Sequence, residues 1–290
     1  MIASFLASWA LFHNTYLAGW LIGLLLALVG VLVVARDQIF IGAAVSQASM
    51  LGIAVGMHLG TWLGLEPCAW CDSDAFLAAA GSAFAVLGAL ITARASGPAA
   101  AAVESHEAVT GWVFLTGSSL AVLLLAHSPH GLEEVHRLLS STIIGATRGD
   151  VMLLAVMVAI TVVALLAWRE RLLLLVLDPE MAAAAGVRVA LWNRILCVWL
   201  GLAVGVSIRV SGMIYTFGCL VLPALVAKSL CREVHAMFPV AAVASVGVGL
   251  VGFVLANARD FPPGQMTVAI LAGVLAGAWA LRRIGRGYRE

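Results

Sequence analysis

The chain has 290 residues, of which 63% are hydrophobic and only 11% charged, and its mean hydropathy is +1.07. Soluble domains carry roughly 25% charged residues, so these values exclude an ordinary soluble enzyme and point to a chain that spends most of its length in lipid. A net charge of +1, without a basic run, implies no nucleic-acid partner.

Crossing about 30 Å of hydrocarbon takes about 20 apolar residues per helix. Residues 1–14 lack the positive n-region of a secretory leader, and Trp9 and Phe12 suggest a short interfacial helix, so residues 1–16 are set apart as an N-terminal segment. Apolar stretches then follow at 17–35, 41–63, 75–94, 109–127, 151–168, 191–210, 213–231, 236–256 and 265–282, and residues 283–290 form a tail. Each stretch is continuously apolar rather than alternating, which predicts helices and not barrel strands. The expected fold is therefore all-α: a polytopic transmembrane helix bundle of about nine spans, with eight as the alternative.

Placing the N-terminus outside puts 12 of the 16 basic residues on the inner side, among them Arg36, Arg169, Arg171, Arg232 and Arg286. Basic residues resist translocation, so this bias predicts a cytoplasmic C-terminus. Trp62, Trp112, Trp168, Trp192 and Trp279 fall near span ends, as interfacial anchors do.

Small residues recur at four-residue spacing: Ala48, Gly52, Gly56 and Gly60 in the second span, Gly201 and Gly205 in the sixth, Gly273 and Gly277 in the last. Such ridges let helix backbones approach closely. The seventh span contains Pro223, which removes a backbone hydrogen bond; broken helices line transporter pathways and also occur in inert bundles. Cys197, Cys219 and Cys231 lie in or beside apolar stretches and read as small core hydrophobes.

The chain contains no GxxxxGK[ST] phosphate loop, no HExxH and no GxSxG. Its loops are too short for a soluble catalytic domain, so no enzyme activity is expected. The spans hold almost no Asp or Glu, which disfavours a proton- or sodium-coupled carrier.

Between the fifth and sixth spans runs Leu177-Asp178-Pro179-Glu180-Met181-Ala182-Ala183-Ala184-Ala185-Gly186-Val187. Asp178 suits a helix N-cap, Pro179 the first helical position, Glu180 the positive end of the dipole and Gly186 the stop. By the charge rule this short helix lies on the inner face. Other segments align around it: Gly30-Val31-Leu32-Val33-Val34-Ala35-Arg36, Gly42-Ala43-Ala44-Val45-Ser46-Gln47-Ala48-Ser49-Met50-Leu51-Gly52, Ser211-Gly212-Met213-Ile214 with Leu220-Val221-Leu222-Pro223-Ala224, and Phe261-Pro262-Pro263-Gly264.

In order and spacing, over about residues 17–282, these segments resemble the permease subunit of the zinc/manganese/iron class of ABC importers. The resemblance implies that Asp178, Pro179, Glu180, Ala182 and Gly186 belong to a coupling helix that docks on a separate ATPase subunit. It further implies a homodimer of permeases, an extracytoplasmic metal-binding protein as partner, and residence in the plasma (inner) membrane. No cofactor is expected on this chain, ATP acting through the partner subunit. The implied cargo is a divalent transition metal, zinc first and then manganese or iron; a metal chelate or another small solute is the alternative, and a secondary transporter a more distant one.

One departure bears on the cargo. The family's commonest second-span pattern is G-D-A-x-S-H-A, whose Asp and His are associated with the metal pathway. Here Ala43 and Gln47 stand in those places. Alanine cannot ligate, and an amide oxygen is a hard, weak ligand poorly suited to zinc. Ser46, Gln47, Gly52 and Pro223 are taken as pathway residues.

His58 shares a helix face with Gln47 through 4-3-4 spacing, three turns further out. It is a candidate metal ligand or a histidine bonded at the interface. The outer loop Glu66-Pro67-Cys68-Ala69-Trp70-Cys71-Asp72-Ser73-Asp74 has CxxC spacing. Cys68, Cys71 and Asp72 could hold a metal with His58, or the two cysteines could form a disulfide or stay unpaired in the loop. His127, His130 and His136, near Glu133 and Glu134, make a second outer cluster that could collect cations or be a solvated loop.

Overall fold

The computed structural model describes residues 2–62, 73–94, 105–126 and 143–287. These are almost entirely helical: α1 (Ile2–Ala35), α2 (Phe40–Trp62), α3 (Asp74–Arg94), α4 (His106–Leu125), a 3₁₀ turn (Ile143–Gly145), α5 (Arg148–Ala167), α6 (Arg169–Leu177), α7 (Pro179–Ala184), α8 (Val189–Leu230), α9 (Val234–Arg259) and α10 (Pro263–Gly287). Eight of the helices among the described residues are long and apolar enough to cross a membrane.

Helix boundaries follow local chemistry. Ser105 caps α4 by accepting from the Ala108 N–H. Thr147 and Asp150 form a reciprocal capping box at the start of α5. Asp260, at φ 53°, ends α9, and Pro262-Pro263 lead into α10.

Two outlines differ from the sequence reading. The first helix runs unbroken from Ile2 to Ala35, so the segment set apart at 1–16 and the span expected at 17–35 lie in one helix, with no glycine or proline in residues 8–18 to separate them. The expected sixth and seventh spans form one 42-residue helical stretch, α8. At 1.5 Å per residue it would reach about 63 Å, twice the thickness of the hydrocarbon. It is not one regular helix, however: Gly212 has φ 75° and ψ 172°, a region open essentially to glycine alone. The break divides α8 into two segments at the position where the sequence separates two spans.

The chain resolves into two compact units, one of residues 1–38, 141–187 and 214–290, the other of residues 39–140 and 188–213. Three of its unit crossings (38/39, 187/188 and 213/214) fall one or two residues after Asp37 (φ 56°), Gly186 (φ 82°) and Gly212 (φ 75°). The backbone departs from helical geometry where it changes unit.

In the first unit α1 is central and packs on α9 and α5, while α10 packs on α9. Ile22, Leu25, Leu26 and Val34 are fully buried. Gly30 lies directly against the Leu220 carbonyl, so a methyl group there would overlap the oxygen. The Tyr215 hydroxyl donates to the Gly19 carbonyl at 2.9 Å. Lys228 pairs with Asp37 and donates to the Val34 carbonyl at 3.3 Å, adding a second donor to a carbonyl at the end of α1 that also accepts from the Asp37 N–H.

In the second unit α2 packs against α3 and α4. The small-residue ridge is the seam. A methyl group on Gly88 would come 2.7 Å from Ala48 Cβ, and one on Gly52 would come 2.5 Å from the Ala80 carbonyl oxygen. Gly201 and Gly205 meet the α3 backbone at Val86 and Ser82 in the same way. Gly273 and Gly277 do not follow this pattern: both are exposed, and among the described residues nothing lies within 4 Å of a methyl group on either.

This contrast gives a test. Gly30→Ala should lower stability by about 1–3 kcal/mol, the usual cost of overpacking, and Gly212→Ala should cost about the same through backbone strain. Gly277→Ala should be neutral. Thermal unfolding in detergent, monitored by tryptophan fluorescence, separates the three; equal midpoints for all would contradict this packing.

Candidate functional site

The site is built on the first half of α2. Its backbone is fixed from behind by α4: a methyl group on Gly117 would lie 2.9 Å from the Gln47 carbonyl carbon and 3.1 Å from the Ala48 nitrogen. Any larger residue at 117 would push α2 away. Phe40 and Phe114 add a ring contact at 5.3 Å between the same two helices. Gln47 is thereby held in a set position along and around its helix.

The Gln47 side chain is 6% exposed. Its amide nitrogen donates to the Met213 sulfur at 3.2 Å, a weak acceptor. Its carbonyl oxygen is buried and has no hydrogen-bond partner among the described residues. A buried polar group left in this state costs about 1–3 kcal/mol, and lipid offers no water to relieve it. Ser49 and Ser207 in the same unit also carry hydroxyls without a partner among the described residues. Met213 directly follows the break at Gly212, so the amide meets the chain where helical geometry stops.

The other expected pathway residues are placed as follows. Ser46 is buried, and its hydroxyl donates to the Gly42 carbonyl one turn back at 2.8 Å, so it is satisfied within its own helix. Gly52 lies in the α2–α3 seam. Pro223 is buried in the second half of α8. Ala43 is half-buried, one turn before Gln47.

Of the expected metal ligands, His58 is locally satisfied. Its Nδ1 bonds the Ala54 carbonyl at 3.0 Å, and its ring lies 6.0 Å from that of Trp62. Eleven residues along the helix put it about 16 Å from Gln47, too far to share an ion. Cys68, Cys71, Asp72, His127, His130 and His136 lie outside the described residues. Among the described residues no three His, Cys, Asp or Glu side chains converge on a common point.

The segment 178–186 folds as its residue types dictate. Asp178 caps α7 by accepting from the Met181 N–H at 2.9 Å, and Pro179 occupies the first position. Gly186, at φ 82°, closes it: the Val187 N–H donates to the Ala182 carbonyl and the Gly186 N–H to the Ala183 carbonyl, both at 3.0 Å. This pair of bonds is the Schellman stop. Ala182 is fully buried and anchors the helix. Leu177 and Met181 are 65% and 61% exposed beside the acidic Asp178 and Glu180. A rigid, capped, exposed helix with apolar and acidic groups is suited to docking another protein.

Residues 8–282 match the ABC 3 transport family. The chain belongs to that family. It is 25% identical over 265 residues to a Thermotoga maritima protein named "Probable metal transport system membrane protein", covering 91% of this chain and 88% of the other. It is 22% identical to the manganese transport system membrane protein MntC of Halalkalibacterium halodurans, covering 98% and 94%. Its fold is similar to that of a solved structure described as PsaBC from Streptococcus pneumoniae in complex with Fab, with a TM-score of 0.77 and 19% identity over 96% of this chain and 95% of that one. The protein is thus a helical, multi-pass permease of the plasma membrane and a member of the ABC 3 transport family.

The sequence reading missed Met213 as the partner of Gln47, since no motif links positions 166 residues apart. It also missed the short helix α6, which the break at Trp168 separates from α5.

Gln47→Leu removes the orphaned carbonyl and replaces it with a side chain of similar size. The unfolding midpoint should therefore stay level or rise, while transport should fall. A lowered midpoint together with normal transport would show that Gln47 serves packing alone.

Proposed function

We propose that this chain is the membrane-spanning subunit of an ATP-driven importer of a divalent transition-metal ion, working by alternating access. Two copies would enclose the pathway, two ATPase subunits would dock at α7, and an extracytoplasmic metal-binding protein would deliver the cargo. The observation that carries this reading is α7: a capped, exposed helix at 178–186, in a chain that has a permease family's length and order of segments and no phosphate loop of its own.

Coupling follows from rigidity. A helix closed by a side-chain cap at one end and by a Schellman stop at the other transmits displacement without unravelling. Movement of the docked ATPase would then displace the packed helices of the first unit as a body.

For the metal, we place manganese or iron ahead of zinc, reversing the first expectation. Several relatives are named for manganese and one for iron. The chemistry agrees: with Ala43 and Gln47 in place of Asp and His, the oxygen on offer is an amide carbonyl, and carbonyl oxygen suits Mn²⁺ better than Zn²⁺. The second reading, a chelate or other small solute, is supported by the absence of charge at these two positions.

Uptake of labelled manganese, iron and zinc is the deciding measurement, in cells lacking their own high-affinity importers and expressing this chain with its ATPase and binding protein. Manganese or iron uptake should exceed zinc uptake several-fold. Asp178→Ala with Glu180→Ala should reduce uptake at least tenfold, about 1.4 kcal/mol of lost coupling, at unchanged membrane abundance. Normal uptake in the double variant would remove α7 from the mechanism. A stable complex that moves none of the three metals would favour the chelate.

A further inference from the structure

In the first unit, α1, α5, α6 and the start of α9 enclose a groove of about 490 Å³. Its walls are almost wholly apolar, with Leu28, Leu166, Leu172 and Phe238 among the lining residues. Among the described residues, two charged or titratable side chains line it, Arg169 and His235.

Both residues stand at helix starts. Arg169 is the first residue of α6, and His235 the second of α9. No side chain caps α9, so its first-turn N–H groups add positive potential beside His235. Arg169 is exposed and has no ion-pair partner among the described residues. His235 Nδ1 lies 3.2 Å from a Glu233 carboxylate oxygen. Arg171 and Arg232 flank the pair in the chain, against Glu170 and Glu233, so the basic side prevails.

The depth of the groove follows from the charge rule, which puts the end of α5 and the start of α9 at the inner membrane surface. Trp168, next to Arg169, is 45% exposed, as expected of a ring at the headgroup level. An apolar trough in the hydrocarbon with a guanidinium at headgroup depth is complementary to a phosphodiester bearing acyl chains. Basic pockets between helices on this side of a membrane bind anionic lipid headgroups.

We infer that this groove is a binding site for an anionic phospholipid of the inner leaflet, with an acyl chain along its apolar wall and the phosphate at Arg169 and His235. The site is independent of the metal pathway, and its test does not depend on which cargo is moved.

The full chain is reconstituted in nanodiscs of phosphatidylcholine with a minor share of phosphatidylglycerol of the same acyl chains, and retained lipid is counted by native mass spectrometry. Phosphatidylglycerol should be enriched over its bulk share. Arg169→Gln, at an exposed position, should lower that enrichment about fivefold. Ala242→Phe, which fills the groove without altering charge, should expel the lipid while leaving the oligomeric state unchanged. Millimolar glycerol phosphate, which lacks acyl chains, should not displace it. Bulk-like lipid composition, or enrichment that survives Arg169→Gln, overturns the inference. Displacement by glycerol phosphate makes the groove a free-anion site and also overturns it. Loss of self-association in Ala242→Phe without loss of lipid makes it an interface between copies, with the same consequence. Should Ala242→Phe fail to fold, the Arg169→Gln comparison decides alone.

Discussion

Lipid supplies no hydrogen bonds, so a chain inside it must satisfy its own backbone. That constraint makes nearly every described residue helical, and it limits where the backbone can do otherwise. Asp37, Gly186 and Gly212 carry positive φ, and each precedes a crossing between compact units. Asp37 and Gly186 follow helix ends at chain turns, where departure from helix costs little. Gly212 is the exception, an interruption within a long apolar stretch that only the absence of a Cβ permits. Hydrogen bonds from side chains to carbonyls, as from Lys228 to Val34 and Tyr215 to Gly19, cover backbone groups and tie helices together.

The same medium removes the hydrophobic drive between helices, so contact area decides which faces meet. Ala48, Gly52, Gly88 and Gly117 bring three backbones together around one stretch of α2. The result is more than cohesion. Close packing on the back of Gln47 leaves its side chain one direction to take, toward Met213. Seating an amide with an unmatched oxygen in such a rigid frame is costly, and the frame makes that cost tolerable by preventing local collapse. On the proposed reading, this buried amide faces the passage of a hydrophilic solute.

Much of this was legible in the sequence, though unevenly. Continuous apolar runs announced the helices, and the four-residue ridge of α2 announced its seam. Residues 178–186 read as a capped helix because capping depends on neighbours in the chain, and Asp178, Pro179 and Gly186 act within one or two turns. The N-terminal segment was set apart because its aromatic residues suggested an interface, and the lack of glycine or proline there lets one helix run through it into the first span. Gly273 and Gly277 had the spacing of a packing motif without a partner, because spacing states what a face permits and not what stands opposite it. The Gln47–Met213 contact joins residues far apart in sequence and was invisible for that reason.

The two replaced positions on α2 bear on how such a pathway discriminates. Transport requires binding strong enough to admit an ion and weak enough to release it. A carboxylate and an imidazole make a deep well for a transition metal, and for zinc above all. A methyl group at 43 and an amide at 47 make a shallow one, with no charge to repay the desolvation of a divalent ion. On the proposed reading, selection therefore rests largely on whatever delivers the cargo, and this stretch of α2 adds a weak oxygen preference rather than a tight site. Restoring charge at Ala43 would deepen the well, and the direction in which uptake then moved would reveal whether admission or release limits the cycle.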